Sequence, residues 1–364
     1  MSNTNFFEIP LNPPTPVTSG VTYIANDITV GDVDGDGEYE LFIEWEPDNA
    51  KDNSQDGPTD PVFIECIKLN GQSLWRINLG RNIRAGQHYT QMLVADYDLS
   101  GSAKLIVKTA DGTVDGRGNV IGNANADHRN SQGRILAGLE LLTLFCGKTG
   151  ENLHTINYNP GRGTVSQWGD NWGNRVDRFL GAVAYLDGIR PSAVTIRGYY
   201  TRMAVVAYDV VDNRLVQRWI FDTGFNSSAP GFGNGNHNVM PANAHGDGRQ
   251  SIFLGSTAIR HDGQLMWSFE LERINNQVTD NPNNGGHGDA LHVGKHIPSR
   301  SGLQVFTPHE NRPFGMSLRD ALTGELLFRR TGSGDTGRGV GANVWRGNDG
   351  SEFWSSGSTE VVNN

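Results

Sequence analysis

Short segments of alternating apolar and polar residues, paired across Gly- or Asn-rich turns, recur along the chain. VFIECIKL and SLWRINL flank NGQ from Val62, and LLTLFCG and NLHTINY flank KTGE from Leu141. The arrangement returns as MAVVAYDV and LVQRWIF about VDNR from Met203, and as TAIR and LMWSFEL about HDGQ from Thr257. MSLRDA and LLFRR about LTGE complete the series from Met316. A period of two with a tight turn between the halves predicts antiparallel hairpins. Ahead of each hairpin stands a further strand-like run: YELFIEW, KLIVKT, AVTIRGY, SIFLGS and LQVFTPH. A sixth such run, SEFWSS, has no hairpin after it. Helical periodicity is nearly absent. Repeated small sheets predict an all-β fold, a β-propeller with about five to six blade units, with a β-sandwich array as the alternative.

The turn before the first of these inner strands reads DVDGDGEYE, residues 32–40. Asp32, Asp34 and Asp36 alternate with small residues, Gly37 permits a sharp turn, and Glu40 closes the loop. Hard divalent cations take about six to eight oxygen ligands, which such a loop supplies. An EF-hand would need a glutamate at the twelfth position and then a helix; here that position is Ile43 inside a strand-like run. The expectation is a short Ca2+ loop feeding a strand, with the side chains of Asp32, Asp34, Asp36 and Glu40 and the carbonyl of Glu38 as ligands. A solvated acidic turn is the plainer alternative, but three alternating aspartates repel one another without a cation.

Composition narrows the partners. The 364 residues include 47 glycines and carry a formal net charge of −10. That balance, with no basic run, argues against nucleic acid or an anionic membrane surface. No apolar stretch approaches the roughly 20 residues of a membrane span. Cys66 and Cys146 are too few for a disulfide framework, and spacing does not say whether they pair. Residues 1–20 read as a Pro-rich linker without the basic start and apolar core of a signal peptide. Residues 21–364 read as the propeller domain.

Long insertions between strands, such as KTADGTVDGRGNVIGNANADHRNSQGR, read as functional loops. They gather aromatic, basic and amide side chains. RNIRAGQHYTQ carries Arg81, Arg84, His88 and Tyr89, and WGDNWGNRVDRF carries Trp172, Arg175 and Arg178. RGYYTR carries Tyr199 and Tyr200, GNGNHN carries His237, GGHGDALH carries His287, Asp289 and His292, and GDTGRG carries Arg338. Aromatic faces stack on sugar rings and guanidinium forks match carboxylates, so the mixture suits an acidic polysaccharide. Each residue also has a bland reading as a loop-pinning side chain. His287, Asp289 and His292 hint at zinc, but no Cys-x-x-Cys or HExxH pattern supports it. Nucleophilic serine chemistry lacks its Gly-x-Ser-x-Gly elbow.

In IANDITVGDVDGDGEYEL, LWRINLGRNIRAGQHYTQ, VSQWGDNWGNRVDRFLGAVAYLDGIRPS, RGYYTR, GNHN, GHGDALH, LRDALTGE and DTGRG the chain resembles the calcium-dependent rhamnogalacturonan lyases that fold as an eight-bladed β-propeller. The matching runs extend in order from about Ala25 to Arg338. The resemblance implies a secreted or extracellular polysaccharide lyase of the rhamnogalacturonan endolyase type. Its substrate would be rhamnogalacturonan I of pectin, with calcium as cofactor. The implied chemistry is β-elimination, leaving a 4,5-unsaturated galacturonyl end. Arg338 would hold the uronate, and His237 and His292 match cleft histidines. Asn26 matches a sugar-contacting position, Glu46 stands where the family has an aspartate, and Arg84, His88 and Tyr89 would join the cleft.

Two departures qualify the resemblance. The match breaks off within the family's pattern, so the propeller is expected to be incomplete relative to the family. The calcium loops also decay: DYDLSGSAK keeps Asp96 and Asp98 but has Ser100 and Lys104 at ligand positions, so weak or no binding is expected there. A catalytically inactive or truncated pectin-binding propeller is therefore the alternative function, and an integrin-like interaction propeller a third.

Overall fold

The computed structural model describes residues 7–268, 286–357 and 362–363. The first six residues of the Pro-rich segment lie outside that set. The chain is all-β; among the described residues the one helical element is a 3-10 turn at Val165–Trp168. Backbone contacts divide it into two compact units. The first comprises Met1–Gly163, Trp172–Asn174 and Val210–Val216, and the second Thr164–Asn171, Arg175–Asp209 and Gln217–Asn364.

The first unit holds two antiparallel sheets. One is built from β1 (Tyr23–Gly31), β2 (Glu40–Pro47), β3 (Phe63–Ile67) and β4 (Ser73–Asn78). The other is built from β5 (Leu93–Ala95), β6 (Lys104–Thr109), β9 (Leu141–Cys146) and β10 (Asn152–Asn157). Between β6 and β9 the long insertion forms a small ribbon, β7 (Thr113–Val114) and β8 (Val120–Ile121), which extends the first sheet beyond β4. Phe42, Ile64, Cys66, Trp75, Ile77, Leu105, Val107 and Phe145 make the core common to both sheets. Both cysteines are free. Residues 7–20 run against this unit: Asp60 accepts the amides of Val17 and Thr18 and the Thr18 hydroxyl, at 3.0, 2.9 and 2.6 Å.

The second unit continues the scheme. Its sheets are β11 (Phe179–Ala184) to β14 (Arg214–Asp222), through β12 (Ser192–Arg197) and β13 (Ala204–Val211); then β15 (Met240–Ala242), β16 (Ser251–Phe253), β17 (Thr257–Ile259) and β18 (Leu265–Ser268); and then β19 (His292–Gly294), β20 (Gln304–Pro308), β21 (Met316–Asp320) and β22 (Leu326–Arg330). The last is β23 (Gly339–Ala342), β24 (Glu352–Ser355) and β25 (Val362–Asn363), so the SEFWSS strand does acquire an antiparallel partner, though a short one.

All five anticipated hairpins form. The VDNR turn places Asp212 and Asn213 at φ 50° and 56°, the left-handed pair that matches the twist of a two-residue hairpin. Inner strands read as near-continuous apolar runs because successive residues serve two cores. On β16, Ile252 joins a cluster with Val194, Ile196 and Val205, while its neighbour Phe253 joins one with Trp267, Val293 and Val305.

A tryptophan clasp recurs. The indoles of Trp75, Trp219 and Trp267 donate to the carbonyls of Gly147, His261 and Ala321, at 2.6, 2.9 and 2.9 Å, each at the hairpin turn of a following sheet. The glycine in each of those turns, Gly150, Gly263 or Gly324, has positive φ and lies so near the indole that a Cβ would crowd the ring.

Candidate functional site

Loops at strand ends of the second unit converge on one cluster. Tyr199 and Tyr200 follow β12, His237 precedes β15, His287 and Asp289 precede β19, Glu310 follows β20 and Arg338 precedes β23. Backbone bonds lace these loops together. The His237 amide donates to Gly288 at 3.0 Å, the Glu310 amide to His287 at 3.0 Å, and the Asp289 and Ala290 amides to Gly337 at 3.1 and 3.0 Å. Gly288 is required by this lacing, because a Cβ there would overlap the Pro308 carbonyl.

His287 is fully buried. Its Nδ1 sits 2.7 Å from the Gly235 carbonyl, so Nδ1 carries the proton and Nε2 presents a lone pair. That Nε2 has no hydrogen-bond partner and stands 3.4 Å from Glu310 Oε1. His237 Nε2 lies 3.6 Å from the same Glu310 oxygen and 3.5 Å from Asp289 Oδ1. The Tyr200 hydroxyl is 2.7 Å from His237 Nε2, and the Tyr199 hydroxyl is 3.2 Å from Nδ1. Arg175 stacks over Tyr200 with Cζ 3.8 Å from the ring centre. Arg338 is 82% exposed and anchored through Nε to Asp289 Oδ2 at 2.8 Å.

Charges follow from these contacts. Burial pushes the Tyr200 phenol up to about 12, with the Glu310 carboxylate adding to it, so the hydroxyl stays protonated at neutral pH. Burial also pushes Asp289 upward, but the Arg338 guanidinium and the His237 imidazole outweigh it and hold the carboxyl below its usual range. Asp289 Oδ1 and Glu310 Oε1 both lie within 3.6 Å of His237 Nε2, and carboxylates gathered around one point favour a cation there. His237, His287 and Glu310 offer ligand atoms within 4.8 Å of one another. An orphaned buried imidazole nitrogen, oriented by a backbone carbonyl on its other side, is what a metal ligand requires. The donor set therefore fits a divalent ion, and its imidazoles suit a transition ion better than calcium.

In the first unit, Asp32, Asp34 and Asp36 also bring carboxylate oxygens within 4.8 Å of one another. Asp32 accepts the amides of Gly35 and Gly37, Glu40 accepts the Val33 amide, and Asp34 Oδ1 is buried without a partner. The loop fits a hard cation. Lys68 stands beside it, with Nζ 2.8 Å from Asp34 and 3.5 Å from both Asp36 and Glu40. Glu38 is exposed, and its amide donates to Asp36 at 2.8 Å.

The remaining anticipated site residues have varied surroundings. Asn26 is exposed and Glu46 half-buried, on the paired strands β1 and β2; the register slips between Ala25 and Ile28, around Asn26. Burial, reinforced by Asp27, raises the Glu46 carboxyl above its usual range. His88 is half-buried, 3.8 Å from Asp52. Arg84 and Tyr89 are buried and bonded to each other at 2.8 Å. Arg84 also donates to the carbonyls of Asp52, Gln55 and Gly57. Its Nη1 and Nη2 groups thus pin a loop. His292 is not among the converging donors; its Nε2 is 3.3 Å from the Gly339 carbonyl and its ring packs on Phe306. Glu310, by contrast, escaped the sequence reading. PHENRP carries no motif, and its one signal is a position just past a buried strand, like Tyr199 and Tyr200 past β12.

Comparison with known proteins gives the family. A family model described as rhamnogalacturonan lyase family 11, C-terminal domain, matches residues 6–364. The chain is 50% identical over 359 residues to the rhamnogalacturonan endolyase YesW of Bacillus subtilis (strain 168), and 51% identical over 356 residues to the exolyase YesX of the same organism. These alignments cover 97% and 96% of this chain and 56% of each relative, so the chain spans about half the length of the curated relatives it matches. Crystal structures agree: that of YesW superposes with a TM-score of 0.90 at 49% identity, covering 98% of this chain and 59% of that one. The Bacillus licheniformis rhamnogalacturonan lyase gives 0.89 at 50% identity, with the same coverage. The chain therefore belongs to rhamnogalacturonan lyase family 11, by way of that family's C-terminal domain.

Proposed function

We propose that this chain carries the lyase chemistry of its family: cleavage of rhamnosyl–galacturonate linkages in rhamnogalacturonan I by β-elimination. The observation that carries this reading is the convergence of His237, His287, Asp289, Glu310 and Arg338 in a chain of this family. The reaction must break the C5–H bond beside the uronate carboxylate, form the C4–C5 double bond and expel the oxygen at C4. The difficult part is ionising a weakly acidic carbon, and positive charge on the carboxylate lowers that cost.

Arg338 is the group that takes the carboxylate, since it is exposed and its Nε is tied back to Asp289. The Tyr200 phenol, protonated at neutral pH, lies 2.7 Å from His237 Nε2, and in the tautomer that leaves Nε2 unprotonated His237 is the base for the C5 proton. The same phenol supplies the proton that the leaving oxygen needs. His287 and Glu310, with Asp289 beside them, would hold a divalent ion. Such an ion supplies further positive charge for the uronate carboxylate.

We further propose calcium for the Asp32–Glu40 loop, supported by its convergent carboxylates. A propeller-type arrangement is the finer fold reading, supported by successive antiparallel meanders with the same turn in the same place. Action outside the cell follows from a polymeric substrate that crosses no bilayer. Incubation with rhamnogalacturonan I, followed by the ultraviolet absorbance of the unsaturated uronate, tests the function. Absorbance that rises about 100-fold more slowly in Arg338→Ala is expected. Undiminished binding with no product would leave a carbohydrate-binding domain instead.

A further inference from the structure

The link between the first and second strands recurs in each sheet, and its charges change from one to the next. In the first sheet it is the acidic loop that ends on Glu40, the first residue of β2. In the second sheet it is Asp96–Lys104, and Lys104 opens β6 as Glu40 opens β2. The two backbones take similar bonds. Asp96 accepts the amides of Ser100 and Gly101 at 2.9 and 2.8 Å, where Asp32 accepts those of Gly35 and Gly37 at 2.7 and 2.9 Å. Asp98 corresponds to Asp34 and Ser100 to Asp36.

Both links have an ammonium against their carboxylates, but Lys68 reaches the first from outside the loop and is part-exposed, 2.8 Å from Asp34, whereas in the second the lysine is the closing residue itself. Lys104 is buried, and its Nζ donates to Asp98 Oδ1 at 2.6 Å and to Ser100 Oγ at 3.2 Å. Later links also carry a cation of the chain's own. Arg249 makes two bonds to Asp247, at 3.0 and 2.6 Å, and Arg190 makes one to Asp187 at 3.2 Å. We infer that the Lys104 ammonium is a covalent replacement for a divalent cation, so that the second link is held closed without metal and takes no calcium.

Three arguments support this. The link has lost two carboxylates relative to the first, at Ser100 and Lys104, which leaves only Asp96 and Asp98 at those positions. A hard cation needing about six oxygens finds too few. An incoming ion would also meet the fixed ammonium at contact distance, and like charges that close repel strongly in a partly buried site. Finally, the ammonium is tethered, so the link closes at any calcium concentration, whereas a metal-held link opens as the ion is removed. The inference concerns the link alone and stands whether or not the chain is a lyase.

Calcium titration by calorimetry, with melting measured in chelator and in calcium, tests it. Asp98→Asn is expected to leave the calcium stoichiometry unchanged and to lower Tm by about 2–4 °C equally in both conditions. The double change Ser100→Asp with Lys104→Glu is expected to raise the stoichiometry by one and to make Tm depend on calcium. Lys104→Met, which keeps the chain length but removes the charge, is expected to lower Tm in chelator. A stoichiometry that falls by one in Asp98→Asn would overturn the inference, as would an unchanged Tm in chelator for Lys104→Met.

Discussion

His287 Nδ1 stands 2.7 Å from the carbonyl oxygen of Gly235, and that bond decides which nitrogen is left for chemistry. With Nδ1 committed, Nε2 faces Glu310 as a bare lone pair. Replacing His287 by Gln should keep a polar group in the buried space but misplace the lone pair. Turnover of rhamnogalacturonan I, followed as unsaturated uronate, should fall on the order of 100-fold or more. Near-normal turnover would remove His287 from the reaction.

Arg338 is separable from the fold. Its side chain is 82% exposed and makes one bond, to Asp289. Arg338→Ala should lower kcat/KM by about 100-fold, in line with the loss of one well-placed charged donor. Its Tm should stay within about 2 °C of the parent. Arg338→Lys should recover little, because an ammonium cannot offer a planar fork. A large loss of Tm in the alanine variant would reassign Arg338 to structure.

Glu44 makes a pH prediction. It is buried, and desolvation, with Asp27 and Glu46 adding to it, raises its carboxyl well above the usual range. The folded state therefore binds the proton more tightly than the unfolded state does. Stability from this residue is fully present at pH below about 4, near the unfolded value, and is lost as pH rises toward the folded value, at about 1.4 kcal/mol per pH unit over that interval. Glu44→Gln should be more stable than the parent at pH 7 and near parity at pH 4. Parallel denaturation curves at both pH values would refute the assignment.

Gly288 carries the lacing of the cluster. A Cβ there would overlap the Pro308 carbonyl, which belongs to β20 and cannot easily yield. Gly288→Ala should cost about 3 kcal/mol, the upper range of overpacking, and should loosen the contact between His237 and Gly288. Chemical denaturation would register the first effect. Amide exchange at His237 would register the second, and unchanged protection there would show that the loops are held elsewhere.

For the Asp32–Glu40 loop, calcium should raise Tm, and Asp34→Ala should weaken calcium affinity at least about tenfold. Asp34 is the sensitive member because its buried Oδ1 has no partner within the chain. Calorimetry showing the same affinity in the variant would place the ion elsewhere.

The sequence by itself determined the inner strands, the hairpins and the acidic turn, because each depends on neighbours a few residues apart. A period of two survives in VFIECIKL or MSLRDA whatever the rest of the chain does, and VDNR or KTGE turns wherever it stands. The first strand of each sheet was not legible in the same way. β1 is largely exposed and β5, β15 and β19 are three residues long, so little alternation marks them. Those strands form because the buried strand beside each offers backbone groups to pair with.

Only the tertiary structure decided which polar residues meet. His237, His287, Glu310 and Arg338 come from separate loops, and no spacing rule links them. It also decided what the other candidates are bonded to. By composition Arg84 is a candidate uronate ligand, and the carbonyls of Asp52, Gln55 and Gly57 accept from its Nη1 and Nη2 groups. A guanidinium's partner is set by what the fold brings to it, and that depends on residues far away in sequence.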